Sequence, residues 1–187
     1  DAKRLAALGA DPVTVTGNLK FDVQINPALQ VLGQNWRADL PSDRPVWLAA
    51  STREGEEPLI LAAHRVLCAR HPALNPLLIL VPRHPQRFDE VAALIQREGF
   101  ALCRRSTALP DATTQIWLGD SMGEMVAYYC MTDVAVIGGS LLPFGGQNLI
   151  EAAACGAPLV IGPHTYNFQS AAELAETTGA AFRLQDV

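Results

Sequence analysis

Arginine, asparagine and glutamate placed just after apolar runs are the residues of this chain best able to hold an anionic, hydroxyl-bearing ligand. Pro82-Arg83-His84-Pro85 follows a strand-like run and precedes a helical one. There a guanidinium can grip a phosphate or carboxylate through two parallel hydrogen bonds. A solvated arginine fits the same position, but the flanking prolines stiffen the loop and favour a positioned side chain. His84 reads as a structural or supporting residue, because no second ligand at metal-binding spacing accompanies it. From Val134 to Pro163 the chain passes through a β-branched run, a loop containing Gly138, Gly139, Ser140, Gly145 and Gly146, a helical stretch and a second run ending Ile161-Gly162-Pro163. Paired glycines let backbone approach a ligand closely, and the helix that follows turns its free N–H groups toward it. Asn148 and Glu151, three residues apart, would share one face of that helix's first turns, with Leu149 and Ile150 between them. A carboxylate there can clamp two ribose hydroxyls, or it can simply complement the helix dipole for about 0.3–1 kcal/mol.

Two more loops have similar potential. Gly119-Asp120-Ser121-Met122-Gly123-Glu124-Met125 joins a strand to a helix. Asp120 or Ser121 suits an N-cap with Glu124 in the first turn, and equally the Met122-Gly123-Glu124 backbone could wrap a base and ribose. Ser51-Thr52-Arg53-Glu54-Gly55-Glu56-Glu57 is either a flexible acidic cap or a source of hydroxyls for phosphate or sugar oxygens. Ser51, Thr52, Gly139, Ser140 and His164 are therefore candidate ligand contacts. No Ser-His-Asp or Cys-His arrangement is legible, and neither a Walker loop nor a Gly-x-Gly-x-x-Gly fingerprint is present.

The elements that must position these loops follow from periodicity. Apolar runs at Val13 to Thr16, Val46 to Ala50, Leu77 to Val81, Gln115 to Leu118, Val134 to Ile137 and Leu159 to Ile161 predict buried strands, with Ala180 to Leu184 strand-like at the end. Helical spacing predicts helices near Glu56 to Arg70, Pro85 to Glu98, Gly123 to Met131, Gln147 to Cys155 and Phe168 to Thr178, and the chain opens in what reads as the tail of another. The alternation implies an α/β fold, a doubly wound parallel sheet with helices on both faces. Ligands of such sheets bind beyond the carboxyl ends of the strands, where all these loops emerge.

Composition narrows the function classes. At 187 residues and 49% hydrophobic, the chain makes one sizeable domain, read here as spanning 1–187 and as one part of a longer protein. A net charge of −5 leaves no basic stripe for nucleic acid. No run of about 18 apolar residues predicts a membrane span. Cys68, Cys103, Cys130 and Cys155 form no Cys-x-x-Cys pair and read as reduced, buried fillers of a cytoplasmic protein, with no metal or other cofactor expected.

Taken in order, Gly17-Asn18-Leu19-Lys20-Phe21-Asp22, the Ser51 to Glu57 loop, Val81-Pro82-Arg83-His84-Pro85, Gly119 to Glu124, Gly138-Gly139-Ser140, Gly145-Gly146-Gln147-Asn148-Leu149-Ile150-Glu151 and Gly162-Pro163-His164-Thr165-Tyr166-Asn167-Phe168 resemble the C-terminal half of 3-deoxy-D-manno-octulosonic acid (Kdo) transferases. The resemblance implies a GT-B glycosyltransferase, two Rossmann-like domains facing across a cleft, of which this chain is the donor domain. It implies inverting transfer of Kdo from CMP-Kdo to a lipid A precursor at the cytoplasmic face of the bacterial inner membrane. Pro82, Arg83, Met122, Gly123, Glu124 and Asn148 to Glu151 would then form the CMP site, with Arg83 on the phosphate and Glu151 on the ribose. The general base would be a glutamate of an N-terminal acceptor domain, which would also contact lipid and membrane, so this domain would bind donor without turning it over. Arg53 stands where the family often has histidine, which suits an anion-binding role better than proton transfer. The alternatives are a UDP-sugar-binding domain of another GT-B transferase or epimerase, and a non-catalytic nucleotide-binding module.

Overall fold

In the computed structural model, which describes residues 2–15 and 22–185, the central strands are the purest apolar runs. Strands β1 (Val46–Thr52), β2 (Leu77–Pro82), β3 (Leu102–Arg104), β4 (Ile116–Leu118), β5 (Val134–Ile137), β6 (Leu159–Ile161) and β7 (Ala181–Arg183) form one sheet in the order β3-β4-β2-β1-β5-β6-β7. Every pairing is parallel. All six residues of β2 are buried, as expected of a strand covered on both faces. Its alternation splits the core: Leu77, Ile79 and Val81 join Trp36, Trp117 and Tyr128 on one face, while Leu78 and Leu80 join Ile60, Val91 and Ile95 on the other.

The helices are α1 (Ala2–Ala7), α2 (Pro27–Ala38), α3 (Glu56–Arg70), α4 (Phe88–Arg97), α5 (Met125–Met131), α6 (Ile150–Ala154) and α7 (Gln169–Thr177). Helices α3 and α4 cover one face of the sheet; α2, α5, α6 and α7 cover the other. The doubly wound α/β expectation therefore holds. From β1 the chain builds outward to β2, β4 and β3 on one side and to β5, β6 and β7 on the other, so the topological switch lies between β1 and β5.

Several local expectations are corrected. Residues 13–15 form no strand, and Thr16 with most of the Gly17 to Asp22 block lies outside the described residues. Helix α2 and edge strand β3 carry no sequence assignment. Asn26 caps α2 by accepting the Ala28 N–H at 3.0 Å, with Pro27 in the first turn. Gly33 lets α2 lie against α5 so closely that a Cβ would come within 2.2 Å of the Ala127 carbonyl. The four cysteines are free but half-buried rather than fully buried.

Candidate functional site

The loops after β1 and β5 meet at the switch point, and a buried carboxylate joins them. Glu56, fully enclosed, accepts the backbone N–H of Arg53 at 2.8 Å, of Gly139 at 2.7 Å and of Leu141 at 3.0 Å. The contact is intimate: a Cβ on Gly138 would sit 2.4 Å from the Ser51 carbonyl oxygen. Ser51 itself has φ +58°, a left-handed residue at the bulge where the β1–β2 register shifts. The 51–57 segment is thus a braced loop, not a flexible acidic cap, and α3 begins after Gly55 in a left-handed conformation without a side-chain cap.

Glu57 works beside Glu56. It accepts the Thr52 hydroxyl at 2.8 Å and a two-pronged ion pair from Arg87 at 2.8 and 3.1 Å. Burial disfavours the Arg87 charge, but the hydrogen bonds it donates to Glu57 and Glu90 outweigh this and hold the guanidinium above its ordinary range. Thr52 is buried and its proton is committed to Glu57, so its hydroxyl braces the loop instead of facing the opening. The same holds for Ser140, enclosed with its hydroxyl donated to the Ile137 carbonyl while accepting the Gly162 N–H. Gly139 is buried with its N–H on Glu56. These residues build the loops; of the candidate contacts, Ser51 and His164 keep partial exposure.

Arg83 leaves the end of β2, where Pro82 is the last, buried residue and pairs with Thr52. Its backbone N–H donates to the Thr52 carbonyl at 2.9 Å, while its exposed guanidinium has no carboxylate or carbonyl partner among the described residues. His84 is half-buried beside it. The loop after β4 presents Met122, two-thirds exposed, and Gly123, whose φ of +79° and open surroundings suit only glycine or a strained side chain. Glu124 is held by Arg105 at 2.8 Å and by the Ser121 hydroxyl. Arg105 in turn lies over the Trp36 ring, 4.9 Å from its centroid. Neither Asp120 nor Ser121 caps α5, which starts at Met125. Asp120 instead ties the β4 end to the loop after β3 through Arg104 at 2.6 Å and the Ser106 N–H and hydroxyl at 2.8 and 2.6 Å. Burial opposes the Asp120 charge, yet the Ser106 and Arg104 hydrogen bonds hold it below the usual carboxylate range.

The glycine-rich segment differs most from expectation. Helix α6 spans only Ile150–Ala154, so Asn148 and Glu151 do not share a helical face. Gly145 and Gly146 adopt φ +89° and +79°, and Asn148 makes a side-chain turn, accepting the Ile150 N–H at 3.1 Å. Leu149 and Ile150 are buried in the core, and the Ile150 N–H is donated to Asn148, which leaves the exposed Asn148 as the residue of this segment open to a ligand. Glu151 is half-buried and has no hydrogen-bond donor or cation beside its carboxylate among the described residues; burial pushes its pKa up. A partly desolvated carboxylate with no donor is an open valence at this edge.

Sequence reasoning passed over Glu57 and Arg87 as a pair and Glu56 as a bridge. The acidic doublet after Gly55 was visible, but its targets depend on strand order. A further open cleft, of about 440 Å³, lies beyond β6 and β7, lined by His164, Thr165, Tyr166, Glu176 and Arg183. No cluster of three or more His, Cys, Asp or Glu suited to a metal ion occurs among the described residues, and no helix there is long and apolar enough to cross a membrane.

An all-parallel, doubly wound sheet with candidate ligand groups gathered at its carboxyl edge defines the chain as a Rossmann-like α/β domain of the GT-B kind. The C-terminal CMP-Kdo binding domain of WaaA from Acinetobacter baumannii superimposes with a TM-score of 0.75 at 36% identity, covering 86% of this chain and 81% of that one. The Kdo transferase of Bordetella pertussis is 48% identical over 189 residues and that of Haemophilus influenzae 47% over 169, covering 100% and 89% of this chain. The chain belongs to the Kdo transferase family. It spans 44% and 39% of the length of those two relatives. No family model matches it.

Proposed function

We propose that this chain is the donor-binding domain of a Kdo transferase, holding CMP-Kdo at the carboxyl edge of the sheet for inverting transfer to a lipid A precursor. The reading is carried by two unmatched charges at that edge, an exposed cation, Arg83, and a half-buried anion, Glu151, set in a fold that matches a CMP-Kdo binding domain over 86% of the chain. The guanidinium suits the phosphodiester through paired hydrogen bonds. The carboxylate suits the vicinal hydroxyls of ribose, whose two donors would satisfy it. On the β4 side of Arg83 the Met122-Gly123-Glu124 backbone offers amide and carbonyl groups to the cytosine edge, with Met122 as an apolar cover and Gly123 allowing close approach. Pro82 fixes the start of the Arg83 turn, and the exposed Asn148 offers its side-chain amide.

Transfer itself requires a base for the acceptor hydroxyl, assigned here to a separate N-terminal domain that also meets the membrane at its cytoplasmic face. This domain's part is to bind and orient the donor and to stabilise the departing CMP through Arg83. No cofactor enters the scheme.

Calorimetric titration with CMP, with UDP as competitor, tests the assignment. Saturable CMP binding stronger than UDP is expected, and Arg83→Ala should weaken it by about 1.5–3 kcal/mol, the scale of a charge-assisted hydrogen bond, without loss of fold. A UDP preference would favour another sugar-nucleotide enzyme. Unchanged affinity in Arg83→Ala would remove that residue from the site.

A further inference from the structure

The carboxyl edge of the sheet carries two free guanidinium groups, where one phosphate needs only one. Six arginines stand there. Arg87 pairs with Glu57 and Glu90, Arg104 with Asp89 and Asp120, Arg105 with Glu124, and Arg183 with Glu176. Arg53 and Arg83 alone among these have no carboxylate within ion-pair distance among the described residues. They are neighbours by construction. Thr52 and Pro82 are register partners on β1 and β2, each arginine follows one of them, and the Arg83 N–H donates to the Thr52 carbonyl. Their chains therefore depart from adjacent strand ends about 5 Å apart.

Arg53 is also held in place. Its backbone N–H is fixed to Glu56 at 2.8 Å, and its guanidinium lies over the Phe144 ring, 4.7 Å from the centroid. Stacking on an aromatic face restrains the group while leaving its N–H edge free for a planar anion. An arginine required only for solubility would need neither restraint.

We infer that Arg53 is the specificity residue for the sugar's carboxylate. The inference rests on the CMP-Kdo reading above. A cytidylyl-activated ulosonic acid carries two anions, a phosphodiester and a carboxylate, both attached to the anomeric carbon. Two guanidinium groups from adjacent strands match that pair, with Arg83 on the phosphate and Arg53 on the carboxylate. Aldose donors lack the carboxylate, so Arg53 is where ulosonic acid donors are told from ordinary sugar nucleotides.

The test uses displacement of a fluorescent cytidine nucleotide from this domain by three ligands: CMP, freshly prepared CMP-Kdo, and CMP-Kdo with its carboxylate converted to the carboxamide. The wild-type domain should prefer the carboxylate to the carboxamide by about 10- to 100-fold, the worth of one charge-assisted pair. Arg53→Gln should bring that ratio close to unity while lowering CMP affinity far less than CMP-Kdo affinity, since CMP lacks the carboxylate. Arg53→Lys, which keeps the charge, should retain part of the preference. A preference that survives in Arg53→Gln, or an equal loss for all three ligands, overturns the assignment. Failure of the wild-type domain to bind either CMP or CMP-Kdo would instead overturn the donor-site reading and this inference with it.

Discussion

Replacing Glu56 by glutamine preserves the side chain's shape and removes its charge, which isolates what the carboxylate does at the switch point. One carboxylate oxygen accepts the Arg53 and Gly139 amides and the other accepts that of Leu141, so both oxygens face N–H donors. Neither orientation of a glutamine satisfies them, because its NH2 must turn toward one donor set. The lesser loss places the NH2 against Leu141, orphaning one buried amide for about 1–3 kcal/mol and reducing the Arg53 and Gly139 bonds from charged to neutral strength, roughly 1 kcal/mol each. Relief of burying a charge offsets part of this, leaving a net destabilisation of about 2–4 kcal/mol. For a domain of this size the corresponding fall in Tm is about 5–15 °C. Urea denaturation of wild type and Glu56→Gln at neutral pH measures it directly. The preference for CMP-Kdo over its carboxamide, measured well below the transition, should fall as well, because Glu56 fixes the Arg53 backbone. A loss under about 1 kcal/mol would refute the claim that this carboxylate holds the two loops together.

Two other perturbations probe the same frame. Gly138→Ala puts a Cβ 2.4 Å from the Ser51 carbonyl oxygen and 2.7 Å from the Thr52 Cα, so it should destabilise by about 1–3 kcal/mol or more in urea titration, and normal stability would contradict the close approach of the β1 and β5 loops. His64 is fully buried between Trp47 and Phe100, takes the Trp47 indole N–H on Nδ1 at 3.2 Å, and is pushed down to about 4 by desolvation. The unfolded chain then binds the extra proton first, so His64 leaves stability intact above pH 6.5 and removes it progressively as pH falls toward 4, by up to about 3 kcal/mol. His64→Gln should flatten that part of the pH–stability curve, and a curve with unchanged slope would exclude His64 as its cause.

How much of this was legible in the sequence depends on where the signal resides. Strands β5 and β6 and helix α3 appear within the bounds their patterns predict, because a parallel strand covered on both faces reads as an unbroken apolar run closed by glycine or proline. Edge strand β3 escapes this signal: its residues, Leu-Cys-Arg, are half-exposed, and its last side chain serves an ion pair with Asp120. Helix α2 escapes for a different reason. Its apolar face is interrupted by Gly33, which belongs there only because Ala127 of another helix comes so close. The cap at Asn26 and Pro27 was the available local cue. The pattern from Gln147 onward has helical spacing and predicts a longer α6, whereas Gly145, Gly146 and the Asn148 turn delay its start to Ile150.

The loops of the candidate site were legible for the same reason as the strands: each follows an apolar run, and a parallel sheet sends every such loop to one edge. Side-chain roles were not legible, because they depend on which strands are neighbours. Thr52 and Ser140 have the chemistry of ligand contacts, yet both hydroxyls are drawn inward, to Glu57 on the next helix and to Ile137 and Gly162 across the β5–β6 boundary. Glu56 has the chemistry of a helix cap, yet its targets lie 83 and 85 residues away, because β5 returns to pair with β1. That return accounts for the site's charge pattern. By burying Glu56 and Glu57 against loop amides, a hydroxyl and Arg87, the fold removes two carboxylates from the edge proposed to hold the donor and leaves Arg53 and Arg83 as the arginines there without a carboxylate partner among the described residues.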